Sequence, residues 1–464
     1  MNTMWIPERE TPVIEADVFV AGAGTAGCIA AIAAARKGAK VVLVEKLPVP
    51  TGTFTNGGIV AYSFHTAVAD PQKARRIVGG IPYELINRIR EAGGSSGFVP
   101  VENSPYPCPY YIISNAEVAK GVVCEMLLEA GVKVYFQTMF CGVAMEGDSI
   151  AAAFIENKSG RFAVVARQYV DATGDGLLAH FAGLEQTEHW QQYDQVCGGP
   201  TGLVFAMGGI DFDRAVAEIP KGFMKRYDYE PDPVKQYSGF ENYALAHIAD
   251  PEKFKNICKL DINFFTSFYS LYHGHANFIN NSKGVITDAS QADNLSRAEL
   301  KMRVKIMQMA GAFRKDVSGF EDSYMTWAAT QLGIRSSKIT LCDKMLTQQE
   351  ITNAARFEDE IGLYGFHDLA PKREHCKIQA PGFYGLPYRM LLPLGCSNLF
   401  MAGRCVTADI EAHMSTRNTV SCMLMGQGAG VAAAMCAQKD CDSRLLAYSE
   451  LREELLLQDV ILSM

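Results

Sequence analysis

Residues 17–45 read DVFVAGAGTAGCIAAIAAARKGAKVVLVE, and no other stretch of the chain restricts the fold so tightly. Val18, Val20 and Ala21 belong to a short, almost continuously apolar run, as in a parallel strand buried on both faces. A tight turn must follow. Gly22 and Gly24 allow it, and Gly27 lets the next segment lie close to the strand. The alanine-rich stretch from Thr25 to Lys37 predicts a helix ended by Gly38, and Lys40 to Val44 predicts a second strand. Glu45 then stands at the carboxyl end of that strand, where a carboxylate can accept hydrogen bonds from a ribose diol and disfavours a 2′-phosphate. A glycine triplet alone also serves packing. Here it follows a strand, opens a helix and is answered by a strand ending in an acid, so a βαβ unit that binds a dinucleotide other than NADP is expected.

The 464 residues are too many for one ordinary domain, and 48% of them are apolar, enough for a large core. A formal charge of −8 and the lack of a basic block argue against a nucleic-acid or anionic-membrane partner. The N-terminal stretch is acidic and proline-containing, unlike an export signal, so a cytoplasmic location is expected. No apolar run is read as long enough to span a bilayer, the Ala-rich stretch at Gly428–Cys436 included. The thirteen cysteines show no metal-ligand spacing and no CxxC pair, and are read as small buried hydrophobes in a reducing compartment. No metal site is expected; His273 and His275 lack a third ligand at plausible spacing.

Along the chain, residues 99–111 form a proline-rich loop, 115–130 carry helical spacing before Gly131, and 132–136 resume as a strand. Residues 150–156 and 162–167 predict a β-hairpin, with 168–172 as a further buried strand. That strand opens into Thr173, Gly174, Asp175 and Gly176, a second small-residue turn: either a simple tight turn or, beside the first unit, a second cofactor contact. From 185 to 330 the texture changes to dense aromatics and an amphipathic helix at 296–313, which reads as an inserted substrate lobe. The chain then returns to a strand at 398–402, a turn at Gly403 and Arg404, and a Gly/Ala-rich helix at 418–437. The expected architecture is α/β: a Rossmann-like domain with a mostly parallel sheet, made of 1–184 and 331–464, interrupted by an α+β lobe at 185–330.

Three glycine-rich contacts from one lobe would enclose one long cofactor, and FAD is longer than NAD. The segments AGAGTAG with Glu45 and Lys46, TGTFTNGGIV, IVGGIPYELINRI, VDATGDG, GFEDSYMTWAATQLGIRSSK, GLPYRMLLPLGCSNLFMAGRCVTADIEAH and STRNTVSCMLMGQGAGVAAA extend the pattern over most of the chain. In them the sequence resembles the FAD-dependent oxidoreductases of the glutathione-reductase-like fold, relatives of the fumarate reductase flavoproteins. The resemblance implies noncovalent FAD. It assigns Gly22, Gly24 and Gly27, with Thr25 and Ala26 between them, to the pyrophosphate, Glu45 to the adenosine ribose and Lys46 to the flank of the adenine. Thr51, Gly52 and Thr53 would lie along the diphosphate and ribityl chain, Thr173, Gly174 and Asp175 at the second contact, and Gly403 and Arg404 near the ribityl. Asn418, Thr419 and Val420 would start a helix aimed at the flavin pyrimidine, whose reduced form is anionic and is favoured by a helix dipole. Many relatives have Gly-Gly where Thr51 precedes Gly52, which leaves the path of that loop open.

With no second glycine fingerprint and no redox cysteine pair, electrons would enter and leave at the flavin, by hydride transfer with an alcohol, an amine or an activated alkene. His413 is a candidate acid/base and Arg417 a candidate clamp for a carboxylate or oxyanion; either could instead fix its loop through backbone carbonyls. Arg335 could face the flavin or pair with Glu321 or Asp322, and His65 is a further candidate. Tyr388 and Arg389 are expected along the same cleft. A small-molecule substrate, an unidentified electron donor or acceptor and a homo-oligomer are the expected partners. A flavin-binding sensor or assembly subunit without turnover, and an NAD-dependent dehydrogenase using the first unit alone, are the alternatives.

Overall fold

The computed structural model describes residues 10–56, 63–68, 70–95, 97–100, 109–112, 114–188, 190–192, 201–211, 214–215, 241–246, 252, 254–260, 265–270, 275–280, 285, 287–367 and 377–464. Most of the 99–111 loop, Gly57 and Gly58 of the TNGG turn, and His273 lie outside them.

Strand β1 (Val13–Ala21), helix α1 (Thr25–Arg36) and strand β2 (Val41–Val44) form the expected unit, with β1 parallel to β2 from Val18↔Val41 to Ala21↔Val44. Lys133–Tyr135 extends the sheet beyond β2, again parallel. On the other side of β1 runs one long strand, Gly160–Asp171, parallel to it along almost its whole length. The expected hairpin is present, and its second strand, read at 162–167, runs on without a break into the strand expected separately at 168–172. The first half of this long strand pairs antiparallel with Ser149–Asn157, and its last three residues pair parallel with Leu399–Met401. Where the hairpin partner ends, the returning C-terminal segment takes over the same edge. Hydrophobic patterning gives a strand's faces but not its neighbours, which is why the reading broke this strand in two.

The helices follow their apolar spacing closely. Ala116–Glu129 is capped by Asn115, whose side chain accepts from the N–H groups of Glu117 and Val118. Thr419–Lys439 lies along α1 at backbone distance: a Cβ on Gly426 would sit 2.2 Å from the Ala26 carbonyl oxygen, and one on Gly430 2.2 Å from that of Ala30. Two glycines four residues apart on one helix face the two small residues of the other, so the helices meet without side chains between them. By length and composition Thr419–Lys439 is apolar enough to cross a membrane, with a mean hydropathy of 1.5, which corrects the reading that no stretch reaches that length. Its most apolar stretch is wholly buried inside the protein, as in a core helix.

A second core stands apart. Glu241–Ala246, Phe265–Ser270, His275–Asn280, Phe205–Gly208 and Tyr324–Ala328 form a five-stranded antiparallel sheet in that order. Helix Ala292–Asp316 contributes Met302, Ile306, Met309 and Phe313 to the same cluster as Phe205 and Met207, and Phe205 stacks on Phe313 at 6.4 Å. The chain passes toward this part at Gln186–Glu188 and comes back at Lys338–Thr340, and these two strands pair antiparallel.

Candidate functional site

The first glycine turn is shaped by close approaches on every side. Gly22 has φ +89, and a Cβ there would lie 2.7 Å from the Ala172 carbonyl oxygen; a Cβ on Gly27 would lie 1.8 Å from the Gly22 carbonyl oxygen. Gly24 caps α1 with no side-chain bond, and the first turn holds no acid, so the positive end of that helix is left for an external anion. Glu45 is buried. Its carboxylate accepts from the N–H groups of Ala23 and Leu47, each at 2.9 Å, which ties the end of β2 to the glycine turn. Burial pushes its pKa up, against the pull of those N–H donors and of Lys46. Two accepted bonds leave lone pairs on the carboxylate for a diol. Lys46 is exposed beside it.

Residues 51–56 fold directly over this turn. The Thr51 N–H donates to the Ala23 carbonyl at 2.6 Å, Gly24 and Thr51 form a parallel bridge, and a Cβ on Gly52 would touch the Gly24 Cα at 3.0 Å. Thr51 itself takes φ +75 and Gly52 φ +49. Thr51 thus adopts, at the cost of strain, the left-handed conformation that a glycine would take freely. Its hydroxyl is held by the Pro50 carbonyl at 2.8 Å and by Thr55. Thr53 lies within the same turn. Asn56, not singled out in the sequence, is fully buried, and its Oδ1 has no hydrogen-bond partner among the described residues.

The second turn meets the third. Buried Asp171 accepts from the Thr173 N–H at 3.1 Å, the Thr173 hydroxyl at 2.7 Å and the Ala179 N–H at 3.2 Å; burial raises its pKa and these donors oppose the rise. Asp175 takes an ion pair from Arg404 at 2.6 Å and a hydrogen bond from the Ser337 hydroxyl at 2.6 Å. Burial alone would raise the Asp175 pKa, but Arg404, Ser337 and Lys46 outweigh it and hold the carboxyl below its usual value. The Arg404 guanidinium lies 2.8 Å from where a Cβ of Gly174 would be. Gly403 packs against the Ala26 side chain, so the turn carrying Arg404 rests on the first turn of α1. Spacing within the sequence carries no trace of the Ser337–Asp175–Arg404 contact.

The last helix begins at Thr419. Asn418 precedes it, but its Nδ2 donates backwards to the carbonyls of Met414 and Ser415 at 2.9 and 3.1 Å and leaves the first-turn amides of Thr419 and Val420 without a side-chain cap. Two long helices, each starting uncapped, are therefore held against each other by Gly426 and Gly430. Arg417 ends the short helix Ile410–Thr416 immediately before this start. Ser415 is braced there by the Tyr384 hydroxyl at 2.7 Å.

His413 is fully buried, with its Nε2 2.7 Å from the Arg404 carbonyl oxygen, an arrangement that fixes the Arg404 turn. Arg335 is two residues from Ser337, hence next to the Asp175 network; Glu321 is engaged by Arg214 at 2.9 Å. His65 lies in an aromatic nest, 4.4 Å from the Tyr110 ring and 5.1 Å from that of Phe98. Burial, and after it the Arg76 charge, lower its pKa to about 4. Tyr388 and Arg389 do not line a cleft: the Tyr388 hydroxyl donates to the Ser443 carbonyl at 2.7 Å, and Arg389 pairs with Asp359 at 3.0 Å.

Fumarate reductase (cytochrome) of Shewanella frigidimarina is 48% identical over 61 residues, 13% of this chain and 10% of that protein, so the chain matches only about a tenth of the length of that curated relative. Solved structures that align along the chain include a geranylgeranyl bacteriochlorophyll reductase-like protein of Thermoplasma acidophilum, at 13% identity over 97% of this chain and 85% of that one, with a TM-score of 0.46. The p-nitrophenol 4-monooxygenase of Pseudomonas putida aligns at 12% identity over 97% and 89%, with a TM-score of 0.47. The profile of one family, FAD dependent oxidoreductase, matches residues 17–455, and the chain belongs to that family.

Proposed function

We propose that this chain holds FAD noncovalently and uses it to exchange a hydride with a small polar metabolite, an alcohol, an amine or an activated alkene. The observation that carries the reading is the pair of uncapped helix starts, at Gly24–Ala26 and at Asn418–Val420, clamped together through Gly426 and Gly430. Each presents the equivalent of about half a positive charge. A cofactor with a diphosphate at one end and a ring that gains negative charge on reduction at the other fits that pair. Glu45, with lone pairs to spare, suits a ribose, and the orphaned Asn56 Oδ1 supplies a further acceptor beside the first turn.

FAD, when bound, supplies a two-electron donor or acceptor; the residues of this chain hold, orient and neutralise. Gly24, Thr25, Ala26 and Gly27 present backbone N–H groups to the diphosphate, Gly22, whose own N–H goes to the Val44 carbonyl, shapes the turn that holds them, and Thr51, Gly52 and Thr53 cover it. Thr173 and Gly174 approach from the second turn, while Asp175 and Arg404 neutralise each other and lock the second and third turns together. We assign Arg417, at the junction of the two C-terminal helices, to the anionic group of the substrate, and Arg335 to the opposite wall. His413 positions the Arg404 turn through its carbonyl. The working partition is a cofactor domain of 1–184 and 331–464 and a substrate lobe of 185–330.

The test is spectroscopic. The purified protein is expected to carry, or to take up, FAD with oxidised-flavin absorbance, to release it on denaturation, to be bleached anaerobically by a substrate and to be reoxidised by an acceptor. A protein that cannot be reconstituted with FAD refutes the reading. A flavin that no donor or acceptor turns over supports a sensor or assembly subunit instead.

A further inference from the structure

The far end of the Thr419–Lys439 helix holds two cysteines that the proposed chemistry does not use. Asp440 takes a left-handed conformation, φ 51, and the Cys441 N–H returns to the Cys436 carbonyl at 3.1 Å. This is the six-residue closure of a helix end, in which the side chains of the first and last residues meet. Here both are thiols, at the two ends of one closure. Both are free, Cys436 wholly buried and Cys441 partly open to solvent. The backbone around them is held from outside the helix as well, since Gln168 Nε2 donates to the Cys441 carbonyl at 3.0 Å and the Cys436 thiol faces the Asp442 carbonyl at 3.9 Å.

A closure of this kind brings its two end residues side by side, within the range of separations a disulfide spans. One thiol reaches solvent and the other waits behind it, the disposition of an attacking and a resolving cysteine. We propose that Cys436 and Cys441 form a reversible dithiol–disulfide site oxidised by a hydroperoxide. The Cys441 sulfur attacks the terminal peroxide oxygen; the O–O bond breaks, an S–OH group forms, and the other oxygen leaves as water or, from an organic hydroperoxide, as an alcohol, taking the thiol proton. The Cys436 sulfur then displaces the hydroxyl, which leaves as water with the Cys436 proton, and the S–S bond closes. Two thiols give up two electrons and two protons, and the peroxide takes them. Cys436 is wholly buried and Cys441 only partly, which leaves first attack on a peroxide from solvent to Cys441. The inference is independent of the proposed redox function.

Cleavage after Lys439 separates the two cysteines, so a disulfide would join peptide 418–439 to peptide 440–444. The FAD-loaded protein is treated with hydrogen peroxide, alkylated, digested without reductant and analysed by mass spectrometry. The expected result is the joined pair, lighter by two hydrogens than its parts and separated by dithiothreitol. Cys436→Ser is expected to abolish it and to leave a sulfenic acid at Cys441 that dimedone traps, and Cys441→Ser to leave Cys436 fully alkylatable. Recovery of both cysteines alkylated after peroxide, or overoxidation of Cys441 with Cys436 still alkylatable, overturns the proposal.

Discussion

The clearest quantitative consequence of the fold concerns two glycine-to-alanine changes with opposite signs. Gly121 lies in the Ala116–Glu129 helix with nothing within 4 Å of where its Cβ would be, whereas a Cβ on Gly426 would lie 2.2 Å from the Ala26 carbonyl oxygen. In a helix interior alanine is favoured over glycine by about 1 kcal/mol, so propensity alone predicts that both substitutions stabilise. At Gly121 nothing opposes that gain, and ~0.5–1 kcal/mol of added stability is expected. At Gly426 ordinary contact begins at 3.4 Å, so the two helices must separate by more than an ångström. The obstructing atom is backbone and cannot rotate away. Overpacking costs about 1–3 kcal/mol, and at an immovable atom the upper end applies, leaving a net loss of ~1–2 kcal/mol after the propensity gain. Because Ala26 belongs to the first turn of α1, Gly426→Ala should also weaken FAD binding, while Gly121→Ala should not. Urea unfolding and FAD titration by fluorescence measure both. If Gly426→Ala stabilises as much as Gly121→Ala and leaves FAD affinity unchanged, the backbone-to-backbone contact is refuted.

Glu45→Gln keeps the size of the side chain but removes a charged acceptor, and a loss of FAD affinity of roughly 10-fold or more is expected by titration, from about 1.5–3 kcal/mol per charged hydrogen bond. Arg417→Ala is expected to retain FAD while steady-state turnover falls on the order of 100-fold, the usual cost of removing one anion-stabilising donor; wild-type turnover would remove Arg417 from the site. Asp175→Asn leaves the buried Arg404 charge without its ion pair, and a loss of about 3 kcal/mol in unfolding free energy is expected. Since the Asp175 pKa is lowered in the folded protein, that contribution is present above the ordinary Asp range and is lost as pH falls through the lowered value, so wild type and variant should converge in acid. For His65 the folded value of about 4 lies below the ordinary 6.5, so its contribution is complete above 6.5 and is lost as pH falls toward 4. At ~1.4 kcal/mol per pH unit the loss is at most about 3 kcal/mol, and His65→Gln should flatten unfolding stability across that window. An unchanged slope would mean that the ring is solvated rather than enclosed by Phe98 and Tyr110.

Local pattern carried a good deal. The Thr25–Arg36 and Ala116–Glu129 helices fall where their spacing and end signals put them, and residues 292–316 contain the amphipathic stretch read at 296–313. Those signals act over one or two turns, within reach of periodicity. The continuous Gly160–Asp171 strand was misread because its two halves have different partners, and patterning does not encode partners. Tyr388 and Arg389 were misplaced for a related reason: a polar aromatic beside an arginine suits a cleft or a buried hydrogen-bonded corner equally well, and only Ser443 and Asp359 decide between them.

The βαβ unit to which we assign the nucleotide end was determined by the chain alone, because each of its requirements, glycine at the turn, small residues in the helix and an acid at the strand end, is met within thirty residues or so. What holds the rest of the site together is not local. Asp175 meets Arg404 across 229 positions and Ser337 across 162, and Gly426 meets Ala26 from the opposite end of the chain. His413 reads in the sequence as an acid or as a brace, and the contact of its Nε2 with the Arg404 carbonyl supports the brace. Side-chain identity states what a group can do; which partner it meets, and so which of those capacities remains available, is decided by packing of segments that no sequence spacing connects.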